Sequence, residues 1–354
     1  MQTWKRSLGK LPSTLLESII YPKLGFTRPE VIVGPKSGVD VCVIKIATNQ
    51  VLVAKTDPIS LIPKLGPDDS AWMSVNLLAN DLSTSGLKPQ YMMVDLNLPP
   101  KIPNAVLRKY WSSFSGECSR LGIAIAGGHT GKFEGCDYTI VGAATIFSTG
   151  SSRLCVTSKG AQVGDKVILT RGAAISATGI LAKLFPATIE KKLGSDILQK
   201  AARNFASISA SPDAIAAAGT GIGTSGVTAM HDVTEGGVLS ALFEVAKASN
   251  VGMAIAKDQI LISEENRAVC TLFKIDPLIS LGEGALVITC SPRTATRVLT
   301  ALRHRSTPAN IVGEIVESSS GVRLVGGNKV GLIKDTFADP YWAAYSRAVE
   351  KGLD

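Results

Sequence analysis

The sequence predicts a mixed α/β chain in two domains, and three observations carry that expectation. At 354 residues, the chain accommodates about two domains of roughly 150 residues each. Short β-branched runs and segments of helical periodicity mix in both halves. Between the halves STGSSR, at Ser148 to Arg153, has the small, polar composition of a loose link. The expected division is therefore residues 1–152 and 153–354.

Ser13 to Ile20 predicts a short helix, turned by Tyr21-Pro22. VCVIKIA (Val41 to Ala47) and VLVAKT (Val51 to Thr56) are strand-like, and the short Thr48-Asn49-Gln50 link suits a hairpin. Ser70 to Gly86 predicts a helix, because Trp72, Val75, Leu78, Ala79 and Leu82 recur at helical spacing. Asp68 to Ser70 offer caps at its start, and Gly86 ends it. Tyr91 to Leu98 is a strand stopped by Pro99-Pro100, with a helix next from Asn104 to Leu121. Ile123 to His129 reads as a strand ending in a glycine-rich turn, and Tyr138 to Phe147 as another strand. In the second half Gly164 to Thr170 predicts a buried strand, Ser176 to Phe185 a helix, and Asp213 to Ala218 is alanine-rich. Gly226 to Asp232 reads as a strand with an exposed polar tip, leading into a helix from Thr234 to Asn250. Strands at Gly252 to Ile255, Ala285 to Thr289 and Ile311 to Val316, and a helix from Arg293 to Arg303, complete the chain.

Hydrophobic residues make up 45% and charged residues 19%, a balance that supports a core and excludes low-complexity disorder. No apolar run reaches the roughly 18 residues of a membrane span. The N-terminus shows no continuous apolar leader, so the expected location is the cytoplasm. The formal charge of +8 is dispersed, and aromatics are only 5%. Such a surface argues against nucleic acid, which is read by clustered charge and stacking platforms. Six cysteines contain no CxxC pair and the histidines number three, so a structural zinc site is not expected.

The chemistry-bearing residues of the first half are loop-end tips: Asp40, Asp57, Asp81 and His129. Asp81 falls late in a predicted helix, where a carboxylate opposes the helix dipole unless something positive compensates. Carboxylates that converge from separate elements need a cation, and hard oxygen donors without a Cys/His cluster suit Mg²⁺, the usual partner of nucleotide phosphates. Read singly, each Asp is better explained as a turn or cap residue; only as a set do they weigh evenly as a site. Glycines accompany the tips, at Gly38 and at Gly127-Gly128, and would let backbone amides approach phosphate. Neither GxxxxGK[ST] nor GxGxxG occurs. In the second half AMHDVTEGG places Asp232 and Glu235 at a strand-to-helix junction, which suits an anion or simply caps the helix.

GVDVCVIKI, TDPIS, VNLLANDLSTSGLKP, AGGHTG and HDVTEGG, in that order, resemble the PurM-like superfamily, and its HypE-like, AIR-synthase-related branch above all. The resemblance runs from Val33 to Val316. It implies a PurM-like two-domain fold: an N-terminal domain whose sheet completes a barrel across a homodimer, and a C-terminal α/β domain. ATP and Mg²⁺ would lie between them. Carried over by motif, Asp40, Asp57 and Asp81 become the metal ligands, while Lys36, Gly38, Thr56, Asn80, Gly127, Gly128, Asp232 and Glu235 would contact the nucleotide. His129 stands where many members carry Asp and is the candidate base, or a substrate contact. Val39 replaces the first Asp of the family's GDD segment. No cysteine follows Cys290, so the cyanide-forming role of HypE is not expected. The resemblance implies ATP- and Mg²⁺-dependent phosphoryl transfer to an oxygen of a small or protein-borne substrate. The alternatives are a thiamine-monophosphate kinase-like enzyme and a non-catalytic nucleotide-binding scaffold.

Overall fold

Alternation builds the first layer. The computed structural model describes residues 8–327, 329–333 and 338–354; residues 1–7, part of the segment searched for a leader, lie outside them. A helical turn at Ser13–Leu15 (α1) continues as a wider turn at Leu16–Ile20. A six-stranded sheet then forms from β1 (Val31–Val33), β2 (Cys42–Ala47), β3 (Gln50–Ser60), β4 (Tyr91–Leu98), β5 (Ala124–Lys132) and β6 (Ile140–Ser151). Its order is β1-β2-β3-β6-β4-β5. Helices α2 (Gly66–Ser83) and α3 (Asn104–Leu121) belong to the same unit. Because side chains alternate along a strand, Val51, Val53 and Ile59 of β3 and Met92, Val94 and Leu96 of β4 enter one core with Val75, Leu78 and Leu82 of α2 and Phe114 of α3. Each such side chain contributes about 1.5–3 kcal/mol on burial. The opposite face keeps Tyr91 and Met93 exposed, with Tyr91 stacked on Phe147 at 5.4 Å.

The second sheet holds β7 (Lys166–Thr170), β8 (Val227–Asp232), β9 (Gly252–Ala256), β10 (Leu286–Cys290), β11 (Ala309–Val316), β12 (Val322–Gly326) and β13 (Lys329–Ile333). Its order is β13-β12-β9-β11-β7-β10-β8, antiparallel except where β12 runs parallel to β9. Helices α4 (Ile175–Leu184), α5 (Pro186–Leu193), α6 (Ser195–Ala206), α7 (Ser211–Ala218), α8 (Gly237–Ser249), α9 (Glu264–Phe273), α10 (Pro292–His304) and α11 (Pro340–Glu350) complete this unit. Strands β8 and β10 are buried along their whole length. One face packs on Val238, Leu242 and Val245 of α8, the other on Ala214 and Ala217 of α7 and Val298 of α10. The fold is thus mixed α/β with two sheets. Among the described residues no helix is long and apolar enough to cross a membrane.

Several expectations need correction. The units divide at Cys155/Val156, but the chain up to Thr27 and Pro35–Val39 group with the second half rather than the first. Glu17 shows why: it accepts from Lys247 on α8 at 2.8 Å. STGSSR is no loose link, since β6 runs to Ser151 against β3, pairing Gly150 with Val51. Strand β3 extends through Asp57 and Pro58 to Ser60 because β6 continues beside it.

Candidate functional site

The core-facing row of β3 reads Val51, Val53, Lys55, Asp57, Ile59, with the three apolar members buried. Two charged side chains in that row need partners. Asp81, in the last turn of α2, is one: Lys55 Nζ lies 2.9 Å from its Oδ1 and 3.5 Å from Oδ1 of Asp57. The Asp81 side chain is 5% exposed, Lys55 22% and Asp57 32%, so the cluster is screened less than a surface pair. Burial works against the charge of Lys55, but the carboxylates of Asp81, Asp57 and Asp40 outweigh it and hold the ammonium well above the usual lysine range. Lys55 is the positive group that Asp81 requires at the end of its helix.

The structure therefore brings Asp57 and Asp81 together, with buried Asp40 close enough to act on the same ammonium. Asn80, next to Asp81, is fully buried. Lys55 was missed by sequence reasoning, although the signal was present: a lysine on the apolar row of a strand is out of place unless it is paired.

Thr56 points to the opposite face of β3, where it hydrogen-bonds Thr145 at 2.8 Å. The expected glycine turn is absent, because β5 continues to Lys132 in parallel pairing with β4. Gly127 and Gly128 are paired strand residues opposite Met93 and Val94. A Cβ at Gly128 would come within 1.9 Å of the Val94 carbonyl oxygen, so that glycine serves the close approach of two strands. His129 pairs with Asp95, which shares the helix-free face of the sheet; Asp57 shares a row with Ala144 and Val94, which face the helices. Two strands lie between β3 and β5, a separation of roughly 14 Å at ordinary strand spacing. His129 is thus apart from the carboxylates, on the opposite face.

The larger unit holds the remaining candidates. Lys36 is exposed in a turn closed by Val39 N–H to its carbonyl at 3.2 Å. Gly38 in that turn has φ +78°, and a Cβ there would meet the Glu244 carbonyl oxygen at 2.5 Å; packing on α8 accounts for it. Asp232 and His231 are buried at the end of β8, not exposed. His231 Nε2 lies 2.8 Å from a carboxylate oxygen of Glu244, a second pairing the sequence did not reveal. Helix α8 starts at Gly237, so Thr234 and Glu235 precede it. Glu235 accepts from the Lys10 N–H, and Lys10 Nζ donates to Thr234 Oγ1 at 2.6 Å. The Gly236 N–H donates to Asp339 Oδ2 at 2.9 Å, so the chain's own carboxylate takes an amide that would have faced an anion. Burial pushes Asp339 up to about 6, against its bonds from the Gly236 and Tyr341 amides. Burial likewise pushes Glu283 up to about 7, opposed by a hydrogen bond from Ser176.

The chemistry of Asp40, Asp57 and Asp81 fits a hard divalent cation, since all three offer carboxylate oxygen. Lys55 already engages two of these groups.

Comparison with known proteins places this chain among relatives. A family profile described as "AIR synthase related protein, N-terminal domain" matches residues 38–148, and "AIR synthase related protein, C-terminal domain" matches 162–326. The chain is 27% identical over 317 residues to a putative hydrogenase expression/formation protein of Methanocaldococcus jannaschii, covering 89% of this chain and 90% of that one. A solved HypE–HypF complex aligns with a TM-score of 0.69 at 20% identity, over 91% of this chain and 99% of that one. The hydrogenase maturation protein HypE solved with ATP aligns at 0.64 and 18%, over 95% and 98%. At such identities the solved structures bear on the fold.

Proposed function

The chain belongs to the AIR synthase-related (PurM-like) superfamily, on its HypE-like branch, and from that membership we propose that it is an ATP- and Mg²⁺-dependent enzyme. It activates an oxygen of a small or protein-borne substrate by phosphoryl transfer. One observation carries this reading: Asp57 from a strand and Asp81 from a helix end meet within 3.5 Å of one ammonium, on which the charge of Asp40 also acts. Nothing in the apolar packing of β3 and α2 requires such an arrangement. These three carboxylates would hold the metal, which supplies neutralisation of phosphate charge when bound. The protein's own part is positioning, by side chains held on a strand and a helix rather than on loops. A relative solved with ATP and another solved with a protein partner support a nucleotide site and a protein-borne acceptor.

The working unit proposed is a homodimer. Tyr91 and Met93, exposed on the helix-free face of the first sheet, are apolar groups that a second copy would cover.

Calorimetric titration with ATP and Mg²⁺, paired with phosphate release in the presence of candidate acceptors, tests the reading. Asp57→Asn and Asp81→Asn are expected to lower turnover by about 10²–10³-fold, the scale of losing one electrostatic contact to a reacting group, while the fold is retained. Full turnover in both variants refutes the site. Nucleotide binding without release selects the scaffold reading, which Val39 and His129, standing where the resemblance implies carboxylates, favour.

A further inference from the structure

We propose that Lys55 is a resident counter-cation that must leave Asp57 and Asp81 before a divalent ion can bind them, and so sets the metal affinity of the site. The inference rests on the metal reading above and assigns a role to a residue outside that ligand set. Lys55 occupies the apolar row of β3, between Val53 and Ile59. An aliphatic side chain would serve the core there without the cost of desolvating an ammonium. What the lysine gains instead is the pair of carboxylates, at 2.9 and 3.5 Å.

A hard cation needs the same oxygen lone pairs at roughly 2.0–2.1 Å. It would also repel an ammonium held at hydrogen-bond distance from those oxygens. The two positive groups therefore exclude one another. The Lys55 side chain is 22% exposed and ends a flexible four-carbon stem, so it has a route away from the carboxylates. A displaced ammonium stays tethered to β3 and becomes a point charge for an incoming phosphate. In the empty state the same lysine relieves the repulsion between Asp57 and Asp81.

The test is Mn²⁺ binding to the full-length chain without nucleotide, followed by electron paramagnetic resonance and calorimetry. Lys55→Met is expected to bind Mn²⁺ roughly 10–100-fold more tightly than the parent, the scale on which groups contacting metal ligands tune affinity. Lys55→Gln is expected to behave likewise, which provides a second neutral variant should the first be unstable. Lys55→Arg keeps the charge and is expected to bind no more tightly than the parent. The gain should vanish when Lys55→Met is combined with Asp81→Asn. If the neutral variants bind Mn²⁺ no more tightly than a parent whose binding is lost in Asp81→Asn, the role of Lys55 is overturned and the metal site stands. Absence of Mn²⁺ binding from the parent and both neutral variants overturns the two together.

Discussion

Replacing Glu283 with glutamine should make the larger unit more stable at pH 8 and leave it nearly unchanged at pH 4.5. Burial raises this carboxyl from 4.5 to about 7, Ser176 opposes the rise, and nearby Asp339 and Glu235 add to it. A carboxyl with a raised folded-state pKa holds its proton more tightly when folded than when unfolded. Its stabilising effect is complete below about 4.5 and is lost as pH climbs through 7. Each tenfold gain in proton affinity on folding is worth roughly 1.4 kcal/mol, so the whole loss comes to about 3 kcal/mol. Glutamine cannot ionise, and its amide oxygen can still accept from the Ser176 hydroxyl that now donates to Glu283. Asp339, up at about 6, titrates across the same window in both proteins and largely cancels from the difference. Urea unfolding of the two proteins from pH 4.5 to 8, followed by a probe in the second half, gives the stability gap directly. The gap should open by about 3 kcal/mol in favour of Glu283→Gln. A gap that stays constant with pH refutes the reasoning.

Further outcomes follow from the same geometry. His129→Ala should leave ATP-dependent turnover at the parent level in a phosphate-release assay, because His129 and Asp57 occupy opposite faces of the sheet. Met93→Glu should convert the proposed dimer to a monomer by light scattering, since it places charge on the exposed apolar face. Gly128→Ala should cost about 1–3 kcal/mol in thermal or chemical unfolding, the range for overpacking that the backbone must absorb. The added methyl would lie 1.9 Å from the Val94 carbonyl oxygen.

Periodicity made β4 and α3 legible to the residue, at Tyr91–Leu98 and Asn104–Leu121. It also exposed Asp81 as a carboxylate in need of a positive partner. It could not name that partner, because the pairing of Lys55 with Asp81 is made by packing α2 on β3. The Gly127-Gly128 pair misled for a physical reason: glycine permits a turn, but it equally permits two backbones to approach closely. Only the register of β5 on β4 decides between them. The same register turned His129 to the helix-free face. Helices α6 and α9 were not foreseen, although α9 opens with the Ser263 side chain accepting from the Asn266 N–H. In the HDVTEGG segment the helix was expected three residues early, at Thr234 instead of Gly237. Glu235 and Gly236 are instead committed to Lys10 and Asp339, far away in the chain.

That last arrangement has a temporal consequence. The loop ahead of α8 is gripped from far upstream and far downstream, by Lys10 across 225 positions and by Asp339 across 103. Closures so long are the slow events of folding. On the ribosome, where the N-terminal parts emerge first, this loop cannot be completed until Asp339 has been synthesised. Maturation of the segment therefore waits on a residue 103 positions downstream.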